Sequence, residues 1–391
     1  MRLEGRRIWF VGIGGAGLSG YALLAKAWGA EVGGWDRKET SYLRALEGVP
    51  IEIAPDPVVP ADWEVVVSTA YRDRAEGRPR ADFLAELVSL QRSIVVGGAH
   101  GKTTTAAMIA FCLDRLGRDP AFLLGGEVPQ LGGNARAGSG WLVVEGDESD
   151  RTVAALRPEI GVVTNVDLDH HSEFASRAEV ELLFERWLEQ VPHVVRGEEL
   201  VPVELELGVP GEHNRRNAAC ALAALELAGV PRGDAESALR EFRGVGRRLE
   251  PHGEAAGVAV VDSYAHHPAE IAADLAAAGA DGRRVLVLFQ PHLYSRTRHL
   301  ARELGAALGT ADAVAVTDVY AAREEPMDGV TGKLVVDALA ERRPGMAIGW
   351  TPALEDGARF VARRTRPGDV VLTVGAGDVD RAAPMIVEAI R

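Results

Sequence analysis

The chain is poor in lysine and in cysteine. Among 43 basic residues only Lys26, Lys38, Lys102 and Lys333 are lysines, so a lysine in a loop stands out against an arginine background. The two cysteines, Cys112 and Cys220, each sit inside an apolar, helix-like run. That excludes a disulfide framework and a sulfur-ligated metal, and leaves both as core fillers. No apolar run approaches the ~18 residues that a membrane span requires. The opening MRLEGRRIWFVGIGG enters a strand without the build of a signal peptide, so a cytoplasmic protein with no membrane partner is expected. Positive charge is also in deficit. A net charge of -14 argues against nucleic acid as a partner, because a phosphate backbone needs a positive field. Any anion bound here must be met locally.

What is present is ordinary soluble-protein composition, 47% apolar and 26% charged over 391 residues, enough for two or three domains. The chain repeats a strand, glycine turn, helix pattern: RRIWFVGIG, AGLSGYALLAKAWG and AEVGGWD, then WEVVVSTA. The pattern restarts at SIVVGG and TTTAAMIAFCLDRLG, with strands at WLVVEGD and EIGVVTNVD and an alanine-rich helix at NAACALAALELAGV. It restarts again beyond GVGRRLEPHG, with strands at VAVVDSY, RVLVLFQ, ADAVAVTDVY and DVVLTVGAG. This alternation predicts an α/β protein of three domains, over residues 1–94, 95–243 and 244–391, joined by short hinges.

Two glycine-rich loops carry the first chemistry. Gly12, Gly14 and Gly17 fit G-x-G-x-x-G between a strand and a helix, with Asp36 nineteen residues beyond Gly17. Glycine lets the backbone approach a pyrophosphate, and the helix start offers amide donors. A ligand-free turn, a nicotinamide or flavin dinucleotide and a uridine diphosphate all suit this loop. The second loop, Gly98-Ala99-His100-Gly101-Lys102-Thr103, misses the strict P-loop pattern because position 96 is valine. It still sets a lysine for the β- and γ-phosphates and a hydroxyl for Mg²⁺ at a helix start. As a charge on a surface loop, Lys102 should be replaceable by alanine at no cost to the fold.

Strand ends supply the rest. EGDESD brings Glu145 and Glu148, and NVDLDHH brings His170, to what should be one edge of a parallel sheet. His170 reads either as a metal ligand or as a histidine behind one, since Mg²⁺ prefers oxygen. Asn214 and Asn217 lie one helical turn apart and are placed to face one ligand or to cap. DSYAHHP and QPHLYSRTR put histidines and arginines at two further strand ends, a composition suited to anions.

Taken in order, VGIGGAGLSG, VVSTAYRD, GGAHGKTTT, LLGGEVPQLGGNARAGSGWLVVEGDESD, VTNVDLDHH, GEHNRRNAACALAAL, GVGRRLE, DSYAHHPAEI, LFQPHLYSRT and DVYAAREEPMDGVTG resemble the Mur ligases over nearly the whole chain. The resemblance implies a Rossmann-like N-terminal domain for a UDP-sugar, a central P-loop ATPase domain, and a Rossmann-like C-terminal domain that closes over both. It implies ATP-dependent ligation of L-alanine to the carboxylate of UDP-N-acetylmuramate through an acyl phosphate, in peptidoglycan synthesis, with ATP and Mg²⁺ required and a monomer or homodimer as the assembly. Carried over position by position, Gly14, Gly15, Ala16, Gly17, Asp36 and Ser68 would contact the UDP moiety. Gly98, His100, Gly101, Lys102, Thr103 and Thr104 would hold the triphosphate. Thr103 and Glu145 would bind one Mg²⁺, and His170 a second. Asn214, Asn217 and Asp262 would meet the base and ribose. Tyr264, His266 and Arg296 would serve the reacting end and the incoming amino acid.

Departures from the family pattern are also legible. Only 43 residues separate His170 from Asn214, roughly half the span the resemblance leads one to expect, and the missing part would be a small antiparallel sheet. Some relatives carry a carbamylated lysine, but Lys102 is the only lysine between residues 96 and 243. Ala99, Ser263 and Leu293 stand where the family often has threonine, aspartate and arginine. Rival readings are a ligase that adds an intact tripeptide to the same sugar nucleotide, a nicotinamide-dependent dehydrogenase built on the first loop, and a non-catalytic nucleotide-binding protein.

Overall fold

The structure, a computed structural model, describes residues 2–168, 173–322 and 324–391. It contains three sheets. The first orders its strands β3-β2-β1-β4-β5, all parallel: β1 (Arg7–Val11), β2 (Glu31–Asp36), β3 (Ile51–Ile53), β4 (Glu64–Val67) and β5 (Arg78–Pro79). The second runs β11-β10-β6-β9-β7-β8, built from β6 (Ser93–Gly97), β7 (Ala121–Val128), β8 (Gly133–Arg136), β9 (Leu142–Glu145), β10 (Ile160–Val163) and β11 (His193–Arg196); only β8 is antiparallel. The third runs β12-β13-β17-β14-β15-β16, with β12 (Arg248–Ala255) antiparallel to β13 (Val258–Ser263) and the rest parallel: β14 (Val285–Phe289), β15 (Ala313–Val316), β16 (Ala347–Trp350) and β17 (Val370–Val374). Central strands such as VLVLF and VVLTV are buried along their whole length, as parallel strands covered on both faces must be.

By compactness the chain forms two units, Met1–Gly208 with Arg215–Arg243, and Val209–Asn214 with Gly244–Arg391. The first unit holds the first two sheets, and one continuous core explains why. It runs from Ile8, Phe10 and Leu24 through Phe83 and Leu87 to Val144, Phe184 and Trp187. The helices feeding it include α1 (Ala16–Ala27), α2 (Arg80–Ser89), α3 (Lys102–Arg115) and α4 (Arg177–Leu188). In α5 (Glu212–Leu227) and α3, Cys220 and Cys112 are buried, and burial pushes their thiols up to about 11 and about 12, as core fillers require. Helix α6 (Arg232–Leu239) completes this unit. Among the described residues between β10 and α5 the only strand is β11, which joins the main sheet; no small antiparallel sheet stands there.

The second unit has a core on each face of its sheet. One gathers Ile271, Leu304 and Leu339 from α7 (Pro268–Ala278), α8 (Tyr294–Leu308) and α9 (Lys333–Arg342). The other gathers Val361 and Ile386 from α10 (Leu354–Ala362) and α11 (Ala382–Ile390). No helix is long and apolar enough to cross a membrane among the described residues.

Candidate active site

Register builds the first cradle. Val11 pairs with Trp35 on one side and with Val67 on the other, so the chain leaving β1 emerges between Asp36 and Ser68. Gly12 adopts φ +89°, and a Cβ there would stand 2.8 Å from the Tyr71 ring and 2.9 Å from Ser68 Cβ, so only glycine fits. The Gly14 amide donates to Asp36 Oδ2 at 2.8 Å, and the Arg37 amide to Oδ1 at 2.7 Å. Asp36 is buried and shapes the loop from below. Thr40 adds a hydroxyl bond to the Gly14 carbonyl at 2.7 Å. Gly15 is the N-cap of α1 with no side chain capping the helix, which leaves the amides that follow from Ala16 and Gly17 to meet an anion. Ser68 caps the short turn Thr69–Tyr71, its Oγ accepting from the Ala70 amide at 3.4 Å.

The second cradle follows β6, the strand on which the second sheet changes direction, between β9 and β10. Such switch points open a crevice at the carboxyl ends of the strands. Thr164 and Asn165, beyond β10, hold the loop: the His100 amide donates to Asn165 Oδ1 at 3.0 Å, and the His100 carbonyl accepts from Thr164 Oγ1 at 2.6 Å and Asn165 Nδ2 at 2.8 Å. Gly98 and Gly101 both take positive φ, and a Cβ on Gly101 would strike the Asn217 amide. Asn217 is thus brought against the loop. Thr103 Oγ1 donates to Glu145 Oε2 at 3.0 Å, whose other oxygen accepts from the Gly125 amide. Thr104 is buried in the first turn of α3.

Lys102 is not a simple surface charge, which corrects the expectation that it could be removed freely. Its Nζ lies 3.1 and 3.0 Å from the two oxygens of buried Glu148 and donates to the Gly98 and Ala99 carbonyls at 2.6 and 3.1 Å. Burial works against the ammonium, yet Glu148, Asp147 and Glu145 outweigh it and hold its pKa above the ordinary lysine value. The lysine therefore waits at the loop mouth fully charged.

The two cradles open onto one space. A cavity of about 230 Å³ is walled by Ala16 and Gly17 on one side and by Lys102 and Glu145 on the other. Asn134, on β8, spans it, donating to the carbonyls of Ala16 and Leu124, each at 3.3 Å.

In the second unit the loops beyond β13, β14 and β15 and the first turn of α8 bring Tyr264, His266, His292, Arg296 and Tyr320 together. Tyr264 and His266 meet edge to face at 5.7 Å, His266 and His292 lie 5.8 Å apart, and His292 stacks on Tyr320 at 5.9 Å. His266 Nδ1 sits 3.0 Å from the Tyr264 carbonyl and 3.6 Å from Glu270. Arg296 is buried, with Nη1 3.3 Å from His292 Nδ1. Leu293, just before α8, is held at φ +68° and ψ 135°, a strained backbone for a residue with a side chain and one of the kinds of strain that collects at binding sites.

Asp262 is wholly buried. Its oxygens accept from Arg247 Nε at 2.8 Å and Thr373 Oγ1 at 2.5 Å, while Arg247 continues to the carbonyls of Gly377 and Gly375 at 2.7 and 2.8 Å. In this state the carboxylate anchors an arginine and the loop beyond β17. Asn214 is buried too, donating to the Pro210 carbonyl at 2.6 Å. Ser263, where an aspartate is common, donates its hydroxyl to Asp274. His170 lies outside the described residues. Glu148 stood beside Glu145 among the strand-end carboxylates of the sequence, but Arg247, Asn134 and Arg80 were not singled out as site residues; GRRLE flagged Arg247 by position, and nothing local flagged the other two.

Family models for the Mur ligase catalytic domain, the Mur ligase middle domain and the Mur ligase glutamate ligase domain match residues 7–92, 96–194 and 247–377. The UDP-N-acetylmuramate–L-alanine ligase of Streptomyces avermitilis is 39% identical over 448 aligned positions, covering 97% of this chain and 96% of its own. That of Rubrobacter xylanophilus is 39% identical over 439 positions, covering 96% and 98%. Both alignments are longer than this chain of 391 residues, so they open gaps in it. The crystal structure of the UDP-N-acetylmuramate–alanine ligase of Thermotoga maritima superposes with a TM-score of 0.80 at 29% identity, covering 98% of each chain. A murein peptide ligase from Psychrobacter arcticus, at 22% identity and a TM-score of 0.65 over 99% of each chain, shares the fold. With three domain models matched in order and full-length relatives well above 30% identity, this chain belongs to the Mur ligase family.

Proposed function

We propose that the chain joins L-alanine to the muramoyl carboxylate of UDP-N-acetylmuramate in the cytoplasm, consuming ATP. The observation that carries this reading is the cavity between the cradles: a sugar diphosphate on the amides of Ala16 and Gly17 and a triphosphate on the Lys102 loop would face each other across about 230 Å³. That space suits direct transfer. A carboxylate oxygen of the sugar attacks the γ-phosphorus, the bond to the β-phosphate oxygen breaks and ADP leaves. The amine of alanine then attacks the acyl carbon, loses a proton and expels inorganic phosphate. A free carboxylate is too poor an electrophile to take the amine directly.

Each residue has a role in this scheme. Lys102, kept charged by its acidic neighbours, exchanges Glu148 for phosphate oxygens and stabilises the charge that builds during transfer. The amides of the Gly98–Lys102 loop receive the β-phosphate, and Asn217 braces the loop from behind Gly101. The Thr103 hydroxyl and Glu145 carboxylate converge at 3.0 Å, a hard-oxygen pair that fits Mg²⁺; a Mg²⁺ held there would neutralise the phosphates. Arg296, buried beside His292, is suited to the carboxylate of alanine, and His266, poised against Glu270, to its amine.

Phosphate release, measured with each component omitted in turn, tests the reading. It should require UDP-N-acetylmuramate, L-alanine, ATP and Mg²⁺ together. Release that ignores alanine, or that prefers a tripeptide in its place, would refute it.

A further inference from the structure

The cavity shared by the cradles carries a cation that belongs to neither glycine motif. Arg80 is the first residue of α2, directly after β5, and it lines the cavity beside Ala16 and Gly17. Its Nε and Nη2 engage one oxygen of Asp150 at 3.3 and 2.9 Å, and Nη2 stands 3.5 Å from Asp147. Two carboxylates thus occupy one edge of the guanidinium. Nη1 makes no hydrogen bond among the described residues. It lies against the first cradle, close enough that a Cβ on Gly17 would meet it at 3.3 Å. The open donor of a charged fork and the uncapped first turn of α1 therefore border the same space.

We propose that Arg80 is a ligand of the sugar nucleotide's diphosphate, taking the anion on the edge that Asp150 leaves open. This rests on the reading that the first cradle takes a sugar diphosphate. A guanidinium presents donors on more than one edge, so Arg80 can keep Asp150 on one and take an anionic oxygen on another. Its charge also shields an incoming diphosphate from Asp147 and Asp150. Loss of Arg80 thus removes an attraction and exposes two repulsions at once.

Calorimetry on the full chain with UDP-N-acetylmuramate, UDP-N-acetylglucosamine and ADP tests the assignment. Arg80→Gln is expected to weaken both sugar nucleotides by about tenfold or more, an energy near 1.4 kcal/mol, and equally, because the diphosphate is common to both. ADP should bind within about twofold of its original affinity. Arg80→Lys, which keeps the charge but not the fork, should fall between. Asp150→Asn, which removes a negative charge beside the site and leaves the open edge of Arg80 in place, should tighten both sugar nucleotides. Unchanged affinity in Arg80→Gln overturns the proposal. So does a loss confined to UDP-N-acetylmuramate, which would put Arg80 on the muramoyl carboxylate, or an equal loss of ADP, which would make it a strut for the acidic loop. Should Arg80→Gln fail to fold, Asp150→Asn decides alone, and weaker or unchanged binding there refutes the idea. Failure of the unaltered chain to bind either sugar nucleotide would instead sink the broader reading of the first cradle.

Discussion

Replacing Lys102 with methionine should abolish turnover and also loosen the fold, and the second effect follows from what the lysine touches. Its side chain is 19% exposed and that of Glu148 only 3%, with both carboxylate oxygens within about 3 Å of Nζ. Removing one partner of a buried ion pair costs ~3–5 kcal/mol, and the partial exposure of Lys102 lets water reach the vacated end, which reduces the cost to about 2–3 kcal/mol. At a urea dependence of ~2 kcal/mol/M, the midpoint falls by about 1 M. Tryptophan fluorescence during a urea titration reads this well, because every tryptophan except Trp350 lies in the first compact unit. The pair Lys102→Met with Glu148→Gln should recover most of the lost stability and none of the activity, since it leaves no charge buried without its counterion. A single variant that melts with the unaltered chain would show that the ion pair does not exist in solution. Turnover by either variant would dismiss the lysine from the chemistry.

Two further predictions are independent of that one. Glu145→Ala leaves the Thr103 hydroxyl without its carboxylate partner, so the Mg²⁺ concentration for half-maximal phosphate release should rise by about tenfold or more; an unchanged metal dependence would move the ligand role elsewhere. The second concerns pH. Burial raises the Asp274 carboxyl from 3.8 to about 6, against the opposing bond from Ser263 and the nearby Arg248, with Glu270 adding to the rise and His213 Nε2 3.8 Å away. A carboxyl whose folded pKa is raised binds its proton more tightly when folded, so its contribution is complete below about 4 and is lost as pH climbs through about 6. The same burial lowers the His213 pKa, which acts in the opposite sense as pH falls. Thermal melts of Asp274→Asn across this range should lack the decline on the alkaline side, and a decline that persists would refute the assignment.

The parts of the fold written in local pattern were legible. Apolar, valine-rich runs marked β1, β6, β9, β10, β13, β14, β15 and β17, because buried parallel strands have little choice of residue; those of β1, β6, β9 and β17 lead into glycine. The hairpin of β7 and β8, the edge strand β12 and the short β11 and β16 were not marked, since edge and half-exposed strands such as HVVR and AIGW are set by their neighbours. Within the site, loop residues that act through the backbone were readable from glycine spacing. Partners contributed across the fold were not: Arg80 reaches Asp150 over 70 positions and Asn134 reaches Ala16 over 118, distances at which no local spacing rule operates. The pairing of Lys102 with Glu148 hid for another reason. A P-loop lysine is read for the phosphate it will hold, and the sequence says nothing of its counterion beforehand.

The two buried thiols make the chain unusually easy to instrument. With pKa values near 11 and 12, less than about one part in a thousand of either is thiolate at neutral pH, and neither is open to solvent. A single cysteine introduced at an exposed position on either compact unit would therefore take a maleimide dye almost alone. Fluorescent reporters could follow substrate arrival in the native background, with no cysteine first having to be removed.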